Sequence, residues 1–281
     1  MNSNDILINI DNTINTLQEL GINIYIDFKA GKKEGYGESL DNFNINVVNN
    51  IIIDCGSNQS IVNALTFKMK DIEIPDHTAL KIIETFHHEI GHIIQRLVKL
   101  REENSPEAKI LSLEYLLSQN SRWYKRNYFN TFMERGCEFR GYANTVLFIE
   151  GLDVPTERKE ELYKALCENF EKAYKNVLPK KDRIIEGDTY ETKALSITKI
   201  LHNRSLEILE REKGIFFKKK YKDYLERNCK RFLKYAKPWE RANETISALL
   251  NFTPHLKEIR DFNNSMRARD AEKHPEFGSK F

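Results

Sequence analysis

Two histidines that lie four residues apart carry the clearest chemical information in this chain. Residues 88–92 read His-Glu-Ile-Gly-His, so His88 and His92 enclose Glu89. On an α-helix, residues four apart share a face, and both imidazoles can then reach one metal ion. Zn²⁺ binds imidazole nitrogen readily, and Glu89 is placed to act on a metal-bound water without being a ligand. The pattern predicts a hydrolytic zinc site with His88 and His92 as ligands and Glu89 as general base.

The residues around this motif have the periodicity of a helix. Asp76 is the predicted N-cap, and apolar side chains then recur at steps of three and four. These apolar positions are Phe86, Ile90, Ile93, Leu97 and Leu100. They form one buried stripe, and His88 and His92 fall beside it, where they can face a cleft. His87 points about 100° away from His88, so we expect it to pack or to support the site. The alternative is a helix that carries two incidental surface histidines.

A third ligand is needed, because a catalytic zinc site usually has three protein ligands and a water. Residues 132–144 include the sequence Glu-Arg-Gly-Cys-Glu, which begins at Glu134. This segment resembles the second site helix of the gluzincin group of zinc peptidases. The resemblance implies that Glu134 binds zinc, that Cys137 packs against the motif helix, and that Glu138 accepts a hydrogen bond from a zinc-bound histidine. A second register stays open, with Glu138 as the ligand and Gly141 as the small residue. In that register the residue four positions after the ligand is Tyr142, which is not acidic.

An aromatic and basic stretch, residues 120–130, precedes this segment. Peptidases of this group often stabilise the oxyanion with a tyrosine or a histidine. The chain here loosely resembles the anthrax lethal factor-like toxin peptidases, which have a similar long gap and a tyrosine shortly before the glutamate. That resemblance implies Tyr128 as the oxyanion residue, with Tyr142 and His202 as further candidates. The alternative is that Tyr128 is a core or rim aromatic.

The elements before the motif predict a helix and a few short strands. Residues 3–20 have an amphipathic helical pattern, and residues 22–28 alternate apolar and polar side chains as a half-buried strand does. Residues 43–48 and 50–54 predict two further strands, and a helix at about 58–69 precedes the motif helix. This order is similar to the zincin core, in which an edge strand beside the cleft pairs with the substrate. Residues 50–54 are a candidate for that strand; the alternative is a central strand.

These elements predict an α+β protein with two regions. Residues 1–150 are the predicted zincin-like catalytic domain, with a small mixed sheet and two site helices. Residues 151–281 are predicted to be mainly helical and to complete the cleft or mediate interactions. The predicted helices in this region are 156–177, 189–212, 217–236 and 239–262. A basic, aromatic-containing stretch begins at Lys218, but the net charge is only +2, which favours an amphipathic helix over a nucleic-acid surface.

Composition limits the class of protein. Hydrophobic residues make up 40% of the 281 residues and charged residues 31%, which is typical of a soluble globular protein. No apolar run approaches the roughly 20 residues of a membrane-spanning helix. The first residues lack the features of a secretory signal peptide, and the four cysteines are widely spaced. A cytoplasmic location is therefore expected, with signal-less secretion of an effector or toxin as the alternative.

Together these features predict a zinc metalloendopeptidase that binds one Zn²⁺ per chain and cleaves a peptide or protein substrate. One alternative is a regulatory or effector zincin that cleaves a single partner protein. Another is a non-enzymatic helical module with a vestigial site, which would bind nucleic acid with strong salt dependence. The intact Glu89 argues against this module, because a general base is not needed merely to hold zinc.

Overall fold

In the part of the chain that the structure describes, six α-helices with defined bounds combine with one small sheet. The computed structural model describes residues 1–19, 22–31, 37–42, 48–101, 110–111, 114, 131–174, 178–179 and 183–216. The helices are α1 (Ser3–Glu19), α2 (Gln59–Thr66), α3 (Asp76–Arg101), α4 (Phe132–Gly151), α5 (Thr156–Tyr174) and α6 (Tyr190–Phe216). The strands are β1 (Asn23–Lys29), β2 (Gly37–Asn42) and β3 (Val48–Asp54), and all three lie between α1 and α2 in the chain. The described helices and the small sheet confirm the α+β class in its general sense.

The three strands form a mixed sheet in the order β1-β3-β2. Strand β3 is parallel to β1, with Ile51 opposite Ile26, and antiparallel to β2. The strand predicted at residues 50–54 is confirmed, and its central position is the alternative that the sequence left open, whereas the predicted break between residue 48 and residues 50–54 was wrong. Residues 50–54 belong to one strand that begins at Val48, and this strand is central among the described strands. Asn49 continues the strand, because it pairs with Ile24 on β1 and with Asp41 on β2. Its side-chain amide also donates to the backbone carbonyl of Asn23 at 3.4 Å.

The edge of the described sheet opposite β1 is formed by β2, which the sequence analysis did not predict. Its sequence, Gly-Glu-Ser-Leu-Asp-Asn, contains a single large apolar residue, so the hydrophobic pattern of a strand is absent. Residues 43–47, which were assigned to a strand, lie outside the described residues. Pairing with β3 therefore forms this strand without help from local propensity.

Helix α3 lies at the centre of the hydrophobic core. Its side chains Phe86, Ile90 and Ile93 are buried as predicted, together with residues of α1, the sheet, α5 and α6. The side chains of Leu97 and Leu100 lie outside the described set. The predicted N-cap was wrong by one position: Asp76 is the first helical residue. The described residues before 151 thus share one hydrophobic core with α5 and α6.

The carboxylate of Asp76 ties the start of α3 to two other parts of the chain. It accepts hydrogen bonds from Arg158 on α5 at 2.6 and 2.8 Å and from the Met1 ammonium group at 3.0 Å. Burial alone would raise the pKa of Asp76, but these two cations lower it below its ordinary value. The ion pairs therefore fix the beginning of the helix that carries the histidines.

The helical second half is confirmed for the part that the structure describes. The predictions 156–177 and 189–212 correspond to α5 and α6, and both helices pack against α3 or α4. The predicted helices 217–236 and 239–262, and the basic stretch from Lys218, lie outside the described residues. Within the described part of the chain, no helix combines the length and the apolar character that a membrane span requires.

Candidate metal centre

Helices α3 and α4 pack closely because small residues lie where they touch. A Cβ atom added to Gly91 would lie 3.0 Å from Cys137 Sγ and 3.2 Å from Cys137 Cα. A Cβ atom added to Gly141 would lie 2.6 Å from the carbonyl oxygen of Glu84. Glycine at these two positions allows the backbones to approach. The helices are antiparallel, because Glu84 lies against Gly141 whereas the later residue Gly91 lies against the earlier residue Cys137. Cys137 packs against the motif helix as the resemblance implied.

Three side chains from these helices converge on one point. His88 Nε2 lies 3.1 Å from His92 Nε2. Glu134 Oε2 lies 3.5 Å from His88 Nε2 and 3.6 Å from His92 Nε2. The histidine side chains are 13% and 16% exposed and the Glu134 side chain 1%. The ligand atoms thus form a nearly equilateral triangle in a largely buried position.

The triangle has the size that a tetrahedral zinc ion requires. With metal–ligand distances of about 2.0–2.1 Å, ligand atoms at tetrahedral angles lie about 3.3–3.4 Å apart. The three separations of 3.1, 3.5 and 3.6 Å bracket that value. Two imidazole nitrogens and one carboxylate oxygen are also ligands that zinc prefers. In type and spacing, the three residues therefore fit a divalent cation such as zinc.

The charges of the three groups are strongly coupled. Burial alone would raise the pKa of Glu134, but His92 and His88 lower it far below its ordinary value. Burial alone would lower the pKa of each histidine. Glu134 and Glu138 nevertheless raise the pKa of His88, and Cys137 and Glu134 raise that of His92. A metal ion at this point therefore competes with protons on the histidines and meets a carboxylate that is already ionised.

The outer nitrogen of His92 has a defined partner. Its Nδ1 atom lies 3.3 Å from the sulfur of Cys137, which is fully buried. If Nε2 binds a metal ion, Nδ1 carries the proton of the neutral ring and can donate it to the sulfur. Such a contact fixes the tautomer and the ring orientation of a metal-binding histidine. The sequence predicted Cys137 only as a small packing residue, so this role was missed.

Glu138 lies near the site without joining the triangle. It is buried one turn after Glu134, and the group of ligand atoms that could share one ion contains Glu134 but not Glu138. Burial raises the pKa of Glu138 above its ordinary value, although His88 and Lys81 act in the opposite direction. Its electrostatic coupling to His88 suits a carboxylate that supports this histidine from outside the triangle.

The start of α4 holds Glu134 in place. Thr131 is the N-cap, and its hydroxyl oxygen accepts a hydrogen bond from the Glu134 N–H at 3.2 Å. The buried carboxylate of Glu114 accepts from the N–H groups of Phe132 and Met133 at 2.8 and 2.7 Å. A carboxylate at a helix N-terminus is also favoured by the helix dipole. Neither Thr131 nor Glu114 was predicted from the sequence, although Thr131 and Glu134 have the spacing of a capping box.

The remaining candidates lie in other surroundings. Tyr128 is outside the described residues. The hydroxyl of Tyr142 lies in the core, 4.0 Å from Cys167 Sγ on α5, and burial raises its pKa well above its ordinary value. His202 is exposed on α6 and its ring packs on Phe139 at 4.8 Å. His87 is buried on the other side of α3, where Nε2 lies 3.0 Å from Asn9 Oδ1 of α1, so it packs as expected.

The fold and the ligand group together define an α+β protein with a candidate site for one divalent cation. Comparison with known proteins finds no matching family model, no similar curated protein and no similar solved structure.

Proposed function

We propose that this chain is a zinc-dependent metallopeptidase with a zincin-like core, in which His88, His92 and Glu134 hold one Zn²⁺. The ligand triangle carries the proposal. Its atoms are 3.1 to 3.6 Å apart, they come from two helices, and they match zinc in type and spacing. Glu134 is preferred to Glu138 as the third ligand because only Glu134 belongs to the group that can share an ion.

Glu89 is the proposed general base. A zinc ion in this site supplies Lewis acidity, which polarises a carbonyl group and lowers the pKa of a bound water. Glu89 takes the proton from the attacking water and passes it to the nitrogen that leaves. The side chain is buried on α3 next to His88, and its charge helps to raise the pKa of that histidine. It therefore lies near the ligands while remaining outside the ligand group.

The sheet beside α3 favours a peptide as substrate. Strands β2 and β3 both contact α3, and β2 forms one edge of the described sheet. An extended peptide can pair with such an edge through backbone hydrogen bonds. Tyr128 remains the proposed residue for the oxyanion, on the resemblance to the toxin peptidases alone. Glu138 is proposed to support His88, and Cys137 to orient His92.

Replacing Glu89 by glutamine tests the proposal. The variant should keep its zinc and lose peptide cleavage, because an amide of the same size cannot accept the proton. Cleavage of a mixed peptide library is followed by mass spectrometry, with and without a zinc chelator. Glu150→Gln is the matched control: it makes the same chemical change at an exposed position of α4 and should leave cleavage intact.

Two outcomes would reject the proposal: a wild-type chain that takes up no zinc when the metal is supplied, or wild-type activity in Glu89→Gln. The chain could instead leave the library uncut and yet remove one protein from a cell lysate when zinc is present. That result would restrict the substrate to a single partner, provided that Glu89→Gln does not remove the same protein.

A further inference from the structure

The peptide group that joins Met133 to Glu134 is bound at both of its polar atoms. Its carbonyl oxygen, from Met133, accepts a hydrogen bond from Gln95 Nε2 at 2.8 Å. Its N–H, from Glu134, donates to the Thr131 hydroxyl at 3.2 Å. The preceding N–H, of Met133, donates to Glu114 at 2.7 Å. The backbone from which the Glu134 side chain extends is therefore fixed from three directions.

Of these three contacts, the one from Gln95 comes from α3, the helix that carries both histidines. Gln95 follows His92 by three residues and His88 by seven, so all three side chains lie on one face of α3. The hydrogen bond from Gln95 thus connects the helix of the two histidines directly to the start of the helix that carries Glu134.

The packing around Gln95 suits this contact. The residue is 8% exposed. A Cβ atom added to Gly136 would lie 2.8 Å from Gln95 Nε2, so the glycine leaves the space that the amide occupies. A carbonyl oxygen has two lone pairs and can accept from Gln95 while it also takes part in the helix.

We propose that Gln95 is a positioning residue of the metal centre: by holding the Met133 carbonyl, it sets the distance between the histidine pair and Glu134. Glu114 holds the same backbone segment through the N–H groups of Phe132 and Met133. The inference rests on the proposed zinc site. A ligand carboxylate that is already in place binds metal more tightly than one that must be ordered on binding, which gives the contact a role in metal affinity.

The test measures zinc affinity in Gln95→Met, a variant of similar size with neither the amide donor nor a charge. The full chain competes for Zn²⁺ with a chromophoric chelator, and the visible spectrum of the Co²⁺-loaded chain reports the ligand geometry. We expect zinc to bind roughly ten- to a hundredfold more weakly, as is usual when a supporting contact of a metal ligand is lost. The Co²⁺ bands should shift as well. Gln59→Met, the same change on the exposed part of α2, should alter neither property.

The unfolding of the metal-free chain separates positioning from a merely structural role. A structural role predicts lower stability with unchanged zinc affinity and an unchanged Co²⁺ spectrum, and that result would overturn the inference while the proposed function stands. A wild type that binds no zinc would remove both. If Gln95→Met does not fold, Glu114→Gln tests the same segment, because it weakens the contacts to the N–H groups of Phe132 and Met133. This variant should bind zinc more weakly than Glu150→Gln, and equal affinities would overturn the inference.

Discussion

Replacing Gly141 by alanine should separate the two helices that carry the proposed ligands. The new Cβ would lie 2.6 Å from the Glu84 carbonyl oxygen and 3.3 Å from His88 Cβ, whereas ordinary contact begins at 3.4 Å. Relief of the closer contact requires a displacement of about 0.8 Å. The oxygen belongs to the backbone of α3, so no side-chain rotation can remove the overlap. The displacement must therefore be taken up by the helices themselves, at the level of His88.

Two opposing effects decide the size of the change in stability. Overpacking of a core contact usually costs about 1–3 kcal/mol, and alanine recovers up to about 1 kcal/mol of helix propensity relative to glycine. We expect the free energy of unfolding of Gly141→Ala to fall by roughly 1–2 kcal/mol. Zinc binding should weaken as well, because a movement of His88 opens a triangle whose sides are only 3.1 to 3.6 Å long.

Gly151 provides a matched control in the same helix. A Cβ atom added there would meet nothing within 4 Å. Gly151→Ala should therefore be neutral or slightly stabilising, with unchanged zinc affinity. Urea unfolding of the metal-free chains and a zinc titration of the folded chains measure both effects. If Gly141→Ala unfolds at the same urea concentration as Gly151→Ala, the close packing of α3 and α4 inferred here is refuted.

Two further variants test the ligand assignment and the neutral state of a buried histidine. Glu134→Ala should remove nearly all zinc and Glu138→Ala should weaken binding by about ten- to a hundredfold, as measured by elemental analysis and titration; the reverse order would make Glu138 the ligand. Burial lowers the pKa of His87 from 6.5 to about 4. The neutral His87 side chain therefore contributes its full share of stability above pH 6.5, and this share is lost as the pH falls toward 4. The difference between the two pKa values corresponds to roughly 3 kcal/mol of stability. In metal-free protein, His87→Gln should remove this part of the pH dependence. The control His202→Gln, at an exposed position, should leave it unchanged. Parallel stability–pH curves for wild type and His87→Gln would show that His87 is not held neutral.

The features that the sequence predicted are those with a local physical cause. The spacing of His88 and His92 places them on one helix face by geometry alone, and the apolar stripe of α3 follows from the same period. Strand β2 depends on pairing with β3 rather than on its own side chains, so its sequence gives no signal. The predicted break between residue 48 and residues 50–54 failed because Asn49 pairs within the sheet, opposite Ile24 on β1 and Asp41 on β2.

The start of α4 shows why the supporting residues could not be predicted in the same way. Thr131 and Glu134 have the spacing of a capping box, in which the acidic side chain turns back to the N-cap backbone. In this chain the Glu134 carboxylate reaches both histidines, and a second carboxylate, from Glu114, binds the N–H groups at the helix start. Glu114 precedes Met133 by 19 residues and Gln95 precedes it by 38, and neither contact involves the Met133 side chain. Contacts to backbone atoms across such separations leave no pattern in the sequence, so the geometry of the ligand triangle depends on residues that only the folded chain identifies.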